Sequence, residues 1–212
     1  YYADGKASTF DGGEDVDYAV YTASTTGVGV DLQSGSGWLG FATGDRLISV
    51  EDVAGSWHSD ILRGSAADNF IAGLDGNDTL DGRGGNDTLY GGKGADTLTG
   101  GAGRDTFIFA TNEGGDLDRI TDFHRGTDTI KISGDANIHV SGHQTFTRLT
   151  RYEDPTNAAG FTAGTVNIRH QGGNTYVDVN SSDNTVNGVD YAEISLRIDG
   201  IHDLRLSDFD FV

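Results

Sequence analysis

From Gly55 to Ile108 a large apolar side chain recurs at every ninth residue: Leu62, Ile71, Leu80, Leu89, Leu98 and Phe107. Two residues before each stands a short polar one: Asp60, Asn69, Asp78, Asp87, Asp96 and Asp105. The clearest copies of the unit read GLDGNDTLD (73–81), GRGGNDTLY (82–90), GGKGADTLT (91–99) and GGAGRDTFI (100–108). Two looser copies, GSWHSDILR (55–63) and GSAADNFIA (64–72), precede them. Glycine at positions 1, 2 and 4 predicts a tight turn with backbone angles that other residues avoid. The residues around position 8 predict a short strand. One unit cannot bury its apolar residue alone, whereas stacked copies place each position 8 side chain on the next.

The flanks follow a different pattern. Val16, Tyr18 and Val20, then Val28, Val30 and Leu32, alternate with their neighbours and predict strands. Gly12-Gly13-Glu14-Asp15-Val16-Asp17 reads as a degenerate unit with Asp17 at position 6. Arg46–Val53 reads as one strand, with Val53 at position 8 of a further degenerate unit. Residues 1–54 are therefore expected to cap the lower end of the stack, which would otherwise expose strand edges and core. Trp38 and Trp57 are expected to pack over the core or cap. Beyond Ile108 the period breaks. Residues 137–212 alternate again, at Ile138 and Val140, Val166 and Ile168, Tyr176, Val177 and Val179, Ile194, Leu196 and Ile198, then Leu204 and Leu206. Antiparallel strands in a small sandwich-like cap over 109–212 are expected.

The unit G-G-x-G-x-D-x-U-x resembles the calcium-binding nonapeptide of RTX proteins. That resemblance implies an all-β chain: a right-handed parallel β-roll over 55–108, with an N-terminal β cap and a C-terminal antiparallel β-sandwich-like cap. Two units make one turn, so Asp60, Asp78 and Asp96 are expected in one column, and Asn69, Asp87 and Asp105 in the other. In the family a calcium ion lies between loops one turn apart, held by carbonyls 2 and 4 and the Asp of the lower loop and carbonyls 1 and 3 and the Asp of the upper. Carried over, one site uses Leu74, Gly76 and Asp78 with Gly91, Lys93 and Asp96. A second uses Arg83, Gly85 and Asp87 with Gly100, Ala102 and Asp105. A third uses Ser56, His58 and Asp60 with Gly73, Asp75 and Asp78, and a fourth Ser65, Ala67 and Asn69 with Gly82, Gly84 and Asp87. The last two depart from the pattern, because Asn69 lacks charge and His58 and Ala67 replace glycine, so they are expected to be weaker or absent.

After the repeats, Asp118, Ile120, Asp122 and Phe123, then Gly126, Asp128, Ile130, Ile132 and Ser133, resemble the junction in serralysin-type C-terminal domains. Asp118 and Asp122 are thereby expected to complete the last sites. The ending LRLSDFDFV resembles the terminus of type I secretion substrates. Together these resemblances imply a secreted, extracellular or cell-surface chain and a type I secretion apparatus as partner. RTX modules also accompany alginate epimerases and adhesins, so an extracellular polysaccharide is the alternative partner.

Composition strengthens the cation reading. The 212 residues carry 33 acidic against 14 basic side chains, a net charge of −19, and like charges oppose compaction. About four to six Ca2+ would cancel roughly half of that excess. The same charge argues against nucleic acid. Without cysteine there is neither a disulfide nor a thiolate site. No apolar run is long enough for a spanning helix. The opening YYADGKASTF has neither an initiator Met nor a signal-peptide pattern, so the chain reads as a piece of a longer protein. H-E-x-x-H and G-x-S-x-G are absent, and the chain is expected to be non-catalytic by itself. His139 and His143, four apart in an expected strand, make a poor zinc pair, and Asp154-Pro155 reads as a turn. Arg119, Arg125, Lys131, Arg148, Arg151 and Arg169 are the candidate face for an anionic glycan.

Overall fold

Each repeat unit turns through its glycines and ends in a short strand, and successive strands alternate between two sheets. The computed structural model describes residues 1–110, 116–133, 148–152, 165–180, 185–186, 189–190, 194–200 and 202–211. The first turn is β1 (Thr9–Asp11) and β2 (Tyr18–Val20). An enlarged second turn holds β3 (Gly29–Asp31), β4 (Ser36–Trp38), β5 (Arg46–Ile48) and β6 (Asp52–Ala54). Regular turns follow as pairs: β7 (Ile61–Arg63) with β8 (Phe70–Asp75), β9 (Thr79–Asp81) with β10 (Thr88–Lys93), and β11 (Thr97–Thr99) with β12 (Thr106–Ala110). A less regular pair, β13 (Leu117–Ile120) and β14 (Thr129–Ser133), closes the series. The C-terminal part adds β15 (Arg148–Tyr152), β16 (Thr165–Gln171), β17 (Asn174–Asn180), β18 (Thr185–Val186), β19 (Val189–Asp190), β20 (Ile194–Ile198) and β21 (Phe209–Phe211).

One sheet runs β1-β5-β4-β3-β7-β9-β11-β13-β20-β17-β16-β15 and the other β2-β6-β8-β10-β12-β14-β21, while β18 and β19 pair with each other. Register follows the repeat. Val30, Leu62, Leu80, Leu98, Ile120 and Ile198 stack strand on strand in the first sheet. Ala19, Val53, Ile71, Leu89, Phe107 and Ile130 do so in the second. All twelve are fully buried between the sheets. Burying one such leucine contributes about 1.5–3 kcal/mol. Thr79, Thr88, Thr97 and Thr106, at position 7, face outward on the pleat, where a β-branched residue suits the strand.

The flanks correct the sequence reading in three places. The phase of β2 is inverted: Val16 and Tyr18 are exposed, and Ala19, which follows Tyr18, fills position 8. Arg46–Val53 is not one strand. Its β5 and β6 lie in different sheets, and Ser49 turns between them at φ 50°. Trp57 is 53% exposed on its loop rather than packed on the core. Trp38 lies over Gly29, where a Cβ would meet its ring, and Arg63 stacks on it at 5.6 Å.

At the other end β16, β17 and β20 pair antiparallel as expected. In addition β20 joins β13 and β21 joins β14 in parallel, so the tail extends both sheets of the roll. The strand expected at Ile138 and Val140, the His139–His143 pair and Asp154-Pro155 fall outside the described residues. Among the described residues no helix is long and apolar enough to cross a membrane.

Candidate metal centre

Loop amides that leave the strands need other partners. Here the position 6 side chains supply them from one turn to the next. Val28 N–H donates to Asp60 Oδ1 (2.6 Å), Asp60 N–H to Asp78 Oδ1 (2.8 Å), Asp78 N–H to Asp96 Oδ1 (2.8 Å) and Asp96 N–H to Asp118 Oδ1 (2.9 Å). On the opposite side Asn69 N–H donates to Asp87 Oδ1 (2.8 Å), Asp87 N–H to Asp105 Oδ1 (2.9 Å) and Asp105 N–H to Asp128 Oδ1 (3.1 Å). These are the two columns the repeat predicts.

A second ladder at position 5 runs in the reverse sense. Ser59 Oγ accepts from Asn77 N–H (2.9 Å) and Asn77 Oδ1 from Ala95 N–H (3.0 Å). Asp68 Oδ1 accepts from Asn86 N–H (2.6 Å) and Asn86 Oδ1 from Arg104 N–H (3.0 Å). Sequence reasoning missed this ladder, although Ser, Asp and Asn at successive position 5 residues were visible.

The second oxygen of each column aspartate is the telling one. Oδ2 of Asp78, Asp87, Asp96 and Asp105 is buried without a hydrogen-bond partner, on residues no more than 1% exposed. Burial, followed by the Asp96, Asp60 and Asp75 charges, pushes Asp78 up to about 8. Burial with Asp105, Asp68 and Asp81 takes Asp87 to about 7, and burial with Asp116 takes Asp96 to about 6. Asp105 is raised as well, by burial first and then by Asp128 and Asp122. Four buried carboxylate oxygens with no donor call for a cation.

The backbone around them is shaped accordingly. Position 2 adopts positive φ in all four upper loops: Leu74 (89°), Arg83 (72°), Gly92 (97°) and Gly101 (96°). For Leu74 and Arg83 that conformation costs about 1–2 kcal/mol. Successive loops also stack backbone on backbone, so a Cβ on Gly92 would stand 1.8 Å from Leu74 O. At position 1 the aspartate itself fills the space: a Cβ on Gly73 would lie 2.2 Å from Asp78 Oδ2 and 2.6 Å from Gly91 O. Among the described residues no group of three or more His, Cys, Asp or Glu side chains gathers around one point. The available donors are thus two carboxylates per pair of loops and carbonyl oxygens, a hard all-oxygen set that suits Ca2+.

The structure stacks all the predicted donor loops one turn apart, but it satisfies their position 6 side chains unevenly. Loop 73–78 lies under 91–96, and 82–87 under 100–105, with Gly84 and Ala102 bridged, so the residues of the first two expected sites are brought together. Asp75 and Lys93 also approach across that stack, at 3.5 Å on the rim. The two lower loops differ. Asp60 Oδ2 accepts from Ser56 N–H (2.6 Å), and Asp60 Oδ1 also takes the Ser56 hydroxyl (2.9 Å). Asn69 Oδ1 accepts from Ser65 N–H (2.7 Å) and the Ser65 hydroxyl (3.3 Å), and its Nδ2 donates to Glu51 O (2.6 Å). His58 N–H and Ala67 N–H turn onto the hydroxyls of Ser56 and Ser65, both at 3.1 Å.

Past the repeats, Asp118 extends its column as expected. Asp122 stands off the column and accepts from Gly100 N–H (2.9 Å) and Gly101 N–H (2.8 Å). The residue that extends the second column is Asp128, not assigned from the sequence, although it precedes buried Ile130 by two, as position 6 precedes position 8. At the opposite end Asp17 repeats the device: its Oδ2 is buried without a partner, and Gly13 has φ 97°.

Residues 55–89 and 81–109 match the sequence model of the RTX calcium-binding nonapeptide repeat. No curated protein sequence matches the chain. Among solved structures, the AlgE6R2 subunit of the Azotobacter vinelandii mannuronan C5-epimerase is 28% identical, with a TM-score of 0.53 over 76% of this chain and 91% of that one. The AlgE6R3 subunit of the same enzyme is 30% identical, with a TM-score of 0.49 over 73% of this chain and 79% of that one.

Proposed function

Because this chain belongs to the RTX calcium-binding nonapeptide-repeat family, we propose that it is a module whose folding is driven by calcium, non-catalytic by itself, that stabilises an exported protein. The observation that carries this reading is the set of four buried, unpartnered Oδ2 atoms on Asp78, Asp87, Asp96 and Asp105. Ca2+ between the loops would be held by Asp78 and Asp96 with the carbonyls of Leu74, Gly76, Gly91 and Lys93. It would also be held by Asp87 and Asp105 with those of Arg83, Gly85, Gly100 and Ala102. Asp118 and Asp128 lie at the upper ends of the columns and would supply further carboxylates there, while Asp122 stands off the column on the amides of Gly100 and Gly101. A bound ion would supply the positive charge that the buried carboxylates lack, and the loop oxygens would coordinate it. The chain's own contribution is to converge loops that are eighteen residues apart in sequence.

Those loops form no site in the unfolded chain, so the free energy of binding becomes free energy of folding. A chain kept unfolded where calcium is scarce and folded where it is abundant suits passage through a type I secretion apparatus and action outside the cell. Circular dichroism tests the core of this reading: calcium should build most of the β signal and excess EGTA should remove it. A spectrum indifferent to EGTA would refute it.

A second reading, polysaccharide binding, has one observation in its favour. Arg119, Arg197, Tyr176 and Arg169 sit opposite one another on β13, β20, β17 and β16, with the Arg169 guanidinium 4.3 Å over the Tyr176 ring. Arg125 and Lys131 do not join this row, since Arg125 pairs with Asp208 and Lys131 stands on β14 in the other sheet. The Asp199 and Asp178 carboxylates already engage the arginines of the row, which favours the first reading. Titrating alginate and a neutral glycan into the calcium-saturated chain tests it, with Arg169→Ala expected to weaken any alginate binding.

A further inference from the structure

Loops 55–60 and 64–69 share the repeat with the four loops above them but not their position 2. Ser56 and Ser65 stand there without positive φ, and each turns its own N–H and hydroxyl onto the position 6 side chain. Asp60 therefore has donors on both oxygens: Ser56 N–H on Oδ2, and Val28 N–H and the Ser56 hydroxyl on Oδ1. Asn69 carries no charge and has both ends of its amide engaged. The atoms that remain unpartnered in the upper loops are here satisfied by protein.

The turns beneath are also built from contacts that need no cation. Tyr21, Val28, Val30 and Ala42 are fully buried in the enlarged second turn. Asp45 Oδ2 accepts from the hydroxyls of Tyr21 (3.1 Å) and Tyr1 (3.3 Å), and its Oδ1 from Ser8 N–H (2.8 Å). Arg83 reaches down from the first upper turn. Its guanidinium forks onto Asp31 and also donates to Gly64 O at 3.0 Å, so a side-chain cation lies over the loop where Asn69 lacks charge. The lower part has one unpartnered buried carboxylate oxygen, on the partly buried Asp17, against four in the upper turns.

We infer that residues 1–72 form a calcium-independent base, in which Ser56 and Ser65 do the work of the ion, and that calcium folds only the turns from Gly73 upward onto it. The inference rests on the calcium reading for those upper turns. It replaces one all-or-none transition by a folded platform and a calcium-driven extension. The serine at position 2 decides which kind of loop a unit makes.

Hydrogen exchange read by mass spectrometry on the full chain, from excess EGTA to millimolar calcium, tests it. Peptides covering β3, β6 and β7 should be protected in EGTA, while those covering β9 to β12 gain protection only as calcium rises. Protection of both sets at one common calcium concentration would overturn the base while leaving the calcium reading intact. No calcium response in either set would bring down both. In the double variant Ser56→Gly, Ser65→Gly, protection of β7 in EGTA should fall at least tenfold and return with calcium. Unchanged β7 protection would overturn the role given to the serines.

Discussion

Asp60 and Asp78 occupy the same position in neighbouring turns of one column, yet one has donors on both oxygens and the other presents an unpartnered Oδ2. The satisfied loop gains hydrogen bonds worth about 0.5–1.5 kcal/mol each and has nothing further to gain from a ligand. The unsatisfied loop is a liability alone, because a buried carboxylate without partners opposes folding. With a cation it becomes the most responsive part of the molecule. A repeat can therefore be tuned unit by unit between stability and responsiveness, by which atom faces the aspartate, without altering strand register or core.

The largest expected effect separates what the two regions share from what divides them. Leu62→Ala and Leu89→Ala each remove a fully buried position 8 side chain and should cost about 2–5 kcal/mol by chemical denaturation in saturating calcium. Leu89→Ala should also move the calcium midpoint of folding, and Leu62→Ala should leave it in place. Equal shifts in both variants would erase the distinction.

Next come the column residues. Asp87→Ala removes a carboxylate from the stack and is expected to raise the calcium midpoint at least tenfold, about 1.4 kcal/mol. Asn69→Ala loses bonds to Ser65 and Glu51 and should lower stability by about 1–2 kcal/mol, with little change in that midpoint. Matching midpoints for the two variants would contradict the assignment of the columns.

The smallest effect is the dependence on pH, and its sign differs with and without the ion. An unfolded aspartate titrates near 4, whereas burial lifts Asp78 to about 8, Asp87 to about 7 and Asp96 to about 6 in the fold. Raised folded values mean that the metal-free upper turns are favoured below about pH 4 and lose that contribution as pH climbs through the range 6 to 8. Calcium requires the ionised form, so the calcium midpoint should rise as pH falls from 8 toward 5. Melting curves in EGTA and calcium titrations at several pH values measure the two slopes, and parallel slopes would be inconsistent with carboxylate ligands.

The regular part of the fold was legible because one period set everything at once. Two units, eighteen residues, place Leu80 over Leu62 and Asp78 over Asp60, and the nine-residue step between them divides the strands between two sheets. Legibility failed where the count failed. The steps from Asp96 to Asp118 and from Asp105 to Asp128 are 22 and 23 residues, so Asp128 escaped assignment although it continues its column. Apolar alternation misled at β2, because position 8 there is alanine, and size made Val16 and Tyr18 look like the inward face. Trp57 was expected to pack over the core or cap near the end of the roll, but it stands at position 3 of its loop, where the residues of the other units are also exposed or half-buried. The substitution of serine for glycine at position 2 was visible in the sequence, but its meaning lay in a φ angle and in where one N–H points.

The reverse sense of the two hydrogen-bond ladders bears on how the roll behaves under tension. At position 6 a turn receives its bond from the turn below, and at position 5 it receives one from the reverse direction, so adjacent turns are fastened at each loop by a crossed pair of stitches. A pull on the upper end loads both stitches of the topmost turn before the next one feels the force. The seam should open one turn at a time, each paying out eighteen residues of thread, about 60 Å when taut. Such a chain is a spool that unwinds in equal lengths rather than a block that shatters.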